Sequence, residues 1–161
     1  MGTRLVLFLG LWLSHFGHPL HAQSAPDQEA IEKTILTLFD GMRQADSTLI
    51  LSVMHPEMSL QTVVVNPQGE VVLRSTPMEA FIQAAGGTRE DVWDEQISGL
   101  VVLQDGPLST VWMDYEFYRN DEFSHCGVNT MNLVLQEEGW KIISIVDTRR
   151  RDGCDTASVE K

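Results

Sequence analysis

The chain has 161 residues and sets 11 Lys and Arg against 23 Asp and Glu, a formal charge of −12 at pH 7. So acidic a surface repels nucleic acid, and because the acidic residues are spread along the sequence they read as the solvated exterior of one domain. No metal-ligand spacing, nucleophile elbow or phosphate loop is present, which weighs against metalloenzyme, hydrolase and nucleotide-binding functions.

The N-terminus is set apart from the rest. Met1-Gly2-Thr3-Arg4 carries one positive charge, Leu5 to Phe16 is almost wholly apolar, and a short polar stretch follows, the layout of a secretory signal peptide. The apolar core is about a dozen residues, short of the roughly twenty that a membrane span needs. Cleavage is expected after Ala22, because a cut after Ala25 would place Pro26 beside the scissile bond. This divides the chain into a signal peptide (1–22), a domain (23–150) and a tail (151–161), and predicts a secreted or periplasmic protein with no membrane attachment once the leader is gone. Removing Arg4 takes the formal charge to −13, and His55 and His125 are the histidines that remain.

Ile31, Ile35, Leu38, Phe39 and Met42 recur at helical spacing and predict an amphipathic helix ending near Ala45. Asp46 is placed to cap a second helix through Leu49, Ile50, Val53 and Met54, stopped by His55-Pro56. Met58 to Val65 and Val71 to Arg74 flank Asn66-Pro67-Gln68-Gly69 and predict a hairpin. Thr76-Pro77-Met78-Glu79 reads as a capping box that opens a third helix, closed by Gly86-Gly87. The remainder is strand and turn. Val92 to Leu103, Leu108 to Arg119, Glu122 to Gln136 and Trp140 to Arg149 have short connections and must be antiparallel neighbours.

Two helices, a strand pair, a third helix and a four-strand meander, with Gly139-Trp140-Lys141-Ile142 entering the last strand and the stretches Trp112 to Tyr118 and Ser124 to Gly127, resemble the nuclear transport factor two-like superfamily, in particular its SnoaL-like and exported bacterial branches. The resemblance implies an α+β, cystatin-like fold in which a cone-shaped, curved antiparallel sheet wraps around N-terminal helices, often as a homodimer formed through the sheet. It implies no reaction, since isomerases, dehydratases, cyclases and plain binding modules share the scaffold. In ketosteroid isomerase a carboxylate base works with an oxyanion hole made by a tyrosine and a protonated aspartic acid. By approximate alignment Phe39 stands here in place of the tyrosine and Thr62 near the place of the base.

Strand alternation then sets the candidate site. With even turns and no bulge, Trp93 and Glu95 share a face with Trp112, Asp114, Glu116, Tyr118, His125, Asn129 and Trp140, aromatic walls around a few polar groups; a single bulge would swap in Tyr115 and Phe117. The expected ligand is a small apolar or amphipathic molecule contacted by Trp93, Glu95, Trp112, Tyr115, Tyr118, His125 and Asn129, with no cofactor. In the unbulged register His125 faces Glu116, a candidate acid–base pair for a SnoaL-like lyase or isomerase, which is the alternative to a binding or assembly module. Apolar residues on both sheet faces, Met113, Val128 and Ile145 on one and Ile97, Met131 and Ile142 on the other, point to a homodimer. A two-residue turn at Glu137-Glu138 carries Cys126 opposite Arg149, so a bend at Gly153 would let Cys126 and Cys154 pair; the alternative is two free thiols.

Overall fold

In the computed structural model, residues 25–154 are described, so the expected signal peptide and the end of the expected tail lie outside the described residues. Helix α1 (Ala25–Gln44) buries Ile31, Ile35, Leu38, Phe39 and Met42, the stripe that the periodicity marks. Helix α2 (Ser47–Val53) is capped by the Asp46 carboxylate, which accepts from the backbone N–H groups of Thr48 and Leu49 at 2.8 and 3.1 Å. Such a cap contributes about 1 kcal/mol.

The first departure from expectation is here. Helix α2 stops at Val53 with Met54 as its C-cap, just before His55-Pro56, but strand β1 (Met54–Val65) begins at once and not at Met58, so His55 and Pro56 lie within it. Proline is tolerated because the pairing of β1 is interrupted between Met54 and Ser59, where no ladder N–H is required of it. Strand β2 (Val71–Thr76) completes the hairpin, and Asn66 holds the turn by accepting from the N–H groups of Gln68 and Glu70. Helix α3 (Met78–Gly86) starts without the capping box: Pro77 is its N-cap and no side chain caps it, because Thr76 is paired with Leu60 as the last residue of β2.

Strands β3 (Trp93–Asp105), β4 (Leu108–Arg119), β5 (Glu122–Gln136) and β6 (Gly139–Thr148) form the antiparallel meander. The sheet order is β2-β1-β6-β5-β4-β3, with β1 joined to β6 in parallel, so the sheet curves without closing. Helix α1 packs against β3 and β6 and fills the concave side. No helix among the described residues is long and apolar enough to cross a membrane.

Three irregularities in the ladders decide which side chains meet. Between β3 and β4 the register slips between Ser98 and Val101, around Gly99, whose φ of +60° glycine adopts without steric cost. Between β4 and β5 it slips between Phe117 and Tyr118, skipping Ser124, and between β5 and β6 it slips after Asn132, skipping Ile143. Consequently Met113 and Ile145 join Ile97, Met131 and Ile142 on the helix-covered face instead of dividing between two faces. The third slip also moves Cys126 opposite Arg150 instead of Arg149. The Cys126–Cys154 disulfide is formed, with the two Cα atoms 5.9 Å apart.

Candidate ligand pocket

Between α1, α3 and the concave sheet lies a cavity of about 440 Å³, within the range of small-molecule sites. Its walls are apolar: Leu38, Phe39 and Met42 from α1, Phe81 from α3, and Trp93, Phe117, Met131 and Ile145 from the sheet. Trp93 is held by Phe117, edge-on at 5.8 Å, and by the Arg89 guanidinium 4.8 Å from its ring centre. Arg89 is itself anchored by the carbonyls of Met42 and Ala85, which ties the ends of α1 and α3 to the cavity wall.

Within these walls sits a small polar group. Asn129 donates from Nδ2 to Glu95 Oε1 at 2.6 Å, and the Thr62 hydroxyl donates to Asp147 Oδ1 at 2.6 Å. The Tyr115 hydroxyl lies 2.9 Å from the Thr148 carbonyl and 3.3 Å from Asp147 Oδ2. Arg149 approaches Asp147 Oδ2 at 3.6 Å. Tyr115 reaches across β5 because residue 127 is glycine: a Cβ there would stand 1.8 Å from the Thr148 carbonyl oxygen and 2.7 Å from the Tyr115 ring.

Burial governs the charges of this group. It pushes the Glu95 carboxyl up to about 7, Asp147 adding to the shift while Asn129 and Arg149 oppose it. Asp147 is raised by burial and partly relieved by Thr62, Arg149 and Tyr115. The Tyr115 phenol is raised, first by burial and then by the neighbouring Asp147 and Glu95. His125 is pushed down to about 4 by burial, with Arg149 and Arg151 contributing.

The seven residues expected at the site separate into three groups. Trp93, Glu95, Tyr115 and Asn129 line the cavity. His125 is buried behind it, its ring stacked on Phe117 at 4.9 Å with Tyr115 edge-on at 5.8 Å, so it braces the wall. Trp112 and Tyr118 lie on the convex face with Asp114 and Glu116; Trp112 is 52% exposed, and Tyr118 donates to Glu116 Oε2 at 2.6 Å. Trp140 faces inward but into the core, away from the cavity.

The slips at Gly99 and Ser124 are the cause. The first sets Phe117 opposite Glu95 in place of the even-numbered β4 residues, and the second sets Phe117, not Glu116, opposite His125. His125 and Glu116 therefore point to opposite faces and form no acid–base pair.

No protein-family model matches this sequence, and no curated protein matches it. Its backbone, however, superposes on solved structures over most of their length. A nuclear transport factor 2-like superfamily protein from Salmonella enterica Typhimurium is 18% identical with a TM-score of 0.61, over 87% of this chain and 99% of that one. A nuclear transport factor 2-like protein of unknown function from Shewanella baltica is 14% identical with a TM-score of 0.59, over 80% and 98%. A nuclear transport factor 2-like protein with a cystatin-like fold from Novosphingobium aromaticivorans is 15% identical with a TM-score of 0.61, over 82% and 86%.

The chain has the nuclear transport factor 2-like fold. Within that fold Phe39 and Thr62 both line the cavity, and Thr62 serves there as a hydrogen-bond donor to Asp147. Asp147, Arg119, Arg149, Ser124 and Thr76 also line the cavity and are not among the residues expected there. Asp147 and Arg149 carry a faint signal, an alternating Asp-Thr-Arg at the end of a strand whose inward positions Ile145 and Asp147 follow period two once the slip at Ile143 is known.

Proposed function

We propose that this protein is an exported small-molecule-binding module whose ligand occupies the cavity beneath α1 and α3. The observation that carries this reading is the pairing of apolar walls with a compact, hydrogen-bonded polar group, Glu95 with Asn129 and Asp147 with Thr62 and Tyr115, at a cavity of about 440 Å³. The disulfide supports the exported compartment, since such bonds persist in oxidising surroundings. Native mass spectrometry of protein recovered from the exported fraction, compared with an Ala84→Phe variant whose new ring fills the cavity, tests the reading. A co-purifying small molecule present in the parent and lost in the folded variant is expected; equal occupancy in both excludes this cavity as the site.

A second reading, acid–base catalysis, rests on Glu95 and not on His125 with Glu116. Glu95 is desolvated yet keeps surface toward the cavity, and a carboxyl that titrates near neutrality both gives and takes protons readily. Turnover abolished by Glu95→Gln with ligand binding retained supports catalysis; turnover that survives the change removes Glu95 from that role.

A further inference from the structure

In so acidic a chain an opening to solvent is expected to be acidic, and the mouth of this cavity is not. Arg119 and Arg149 line the cavity, and a shallow open depression that shares Arg119 and Ser124 with it is lined also by Arg151. Three of the 11 basic residues thus gather at one end of one cavity. Three carboxylates stand beside these three guanidiniums, so this end of the cavity is close to neutral in a chain of formal charge −12. Asp91 pairs with Arg119, Asp147 lies 3.6 Å from Arg149, and Glu122 borders the depression, whereas among the described residues no ion pair engages Arg151.

The segment that carries two of these arginines is held in place. Cys126 and Arg150 exchange two backbone hydrogen bonds of 2.9 Å, and the disulfide to Cys154 closes the chain just beyond. Arg149 lines the cavity, and Arg151, at the bend that follows the Cys126–Arg150 bridge, lines the depression beside it. The electrostatic effect on His125 agrees, since Arg149 and Arg151 both act on it.

We propose that the cavity takes an amphipathic carboxylate, its apolar body against Phe39, Phe81 and Phe117 and its head group at the mouth, bound by Arg119, Arg149, Arg151 and the Ser124 hydroxyl. The proposal rests on the reading of the cavity as a ligand pocket. Guanidinium groups present paired N–H donors that match the two oxygens of a carboxylate. A head group driven inward would meet Glu95 and Asp147, so the charge pattern also sets the ligand's orientation, apolar end first.

Titration calorimetry of the disulfide-intact protein with decanoate and with decan-1-ol at neutral pH and low salt tests this. Decanoate is expected to bind roughly tenfold more tightly than the alcohol, as charge-assisted hydrogen bonds at the head group require. Arg151→Gln, an exposed position whose change leaves the fold intact, and separately reduction of Cys126–Cys154, are each expected to remove most of that preference while leaving the affinity for decan-1-ol unchanged. Equal binding of the two compounds, or a preference untouched by Arg151→Gln and by reduction alike, overturns the carboxylate assignment and leaves the pocket standing. Failure of both compounds to bind the folded protein overturns the pocket reading and this proposal with it.

Discussion

Glu95 on β3 and Asn129 on β5 are joined by a 2.6 Å hydrogen bond that passes across β4, the strand between them. The bond favours the charged carboxylate, but burial outweighs it, and the carboxyl rises from 4.5 to about 7. A raised carboxyl pKa means that the folded state holds the proton more tightly than the unfolded chain. Its contribution is therefore fully present below pH 4.5 and is lost as pH climbs to about 7. His125 acts in the opposite sense: lowered from 6.5 to about 4, it stabilises above pH 6.5 and loses that contribution as pH falls toward 4.

Comparison of Glu95→Gln with the parent isolates the first effect. Its stability relative to the parent is expected to increase between pH 4.5 and 7 by roughly 3 kcal/mol at most, an upper figure because the carboxyl keeps surface toward the cavity. Denaturant midpoints measured across that range should diverge; parallel profiles would show that Glu95 has an ordinary pKa.

Gly127→Ala should be among the most damaging single changes. The new methyl would stand 1.8 Å from a backbone oxygen, which cannot turn aside as a flexible side chain could, and 2.7 Å from the Tyr115 ring. Overpacking of this kind costs roughly 2 to 3 kcal/mol, and Tyr115 should leave Asp147. A thermal unfolding midpoint within a degree or two of the parent's would contradict the close packing of β5 against the end of β6.

The disulfide is expected to stabilise the fold by about 3 kcal/mol through the loop that it closes, a separation of 28 residues. Cys154→Ser should lower the unfolding free energy by that order without disturbing the sheet. Alkylation followed by intact-mass measurement, without reduction, checks the bond itself: uptake of label at both cysteines means that it is absent from the native protein.

The convex face presents Val101, Leu108 and Trp112, each at least half exposed, and we propose that a second copy covers them in a homodimer. Trp112→Ser should shift the protein toward monomer in light scattering at micromolar concentration while leaving ligand affinity unchanged, since Trp112 lies outside the cavity. A parent that is already monomeric there removes the dimer.

By itself the sequence determined the element order, the three helices, the meander and the helical fold-facing stripe, because each depends on local periodicity and on turn residues that act within a few positions. Asp46 is legible as a cap for the same reason, its carboxylate meeting N–H groups two and three residues on. The site was legible only in halves. Trp93, Glu95 and Asn129 follow from alternation, but the inward residues of β4 depend on whether one extra residue sits at Gly99, and the partner of His125 depends on another at Ser124. A slip of one residue exchanges every side chain beyond it between faces, so these two positions alone exclude Trp112, Glu116 and Tyr118 from the cavity. Asp147 and Arg149 enter through a third slip and through the parallel pairing of β1 with β6, a contact between segments about 85 residues apart, as the Thr62 to Asp147 hydrogen bond measures. Contacts at that separation are fixed by how the sheet curves over α1, and only the tertiary structure decides them.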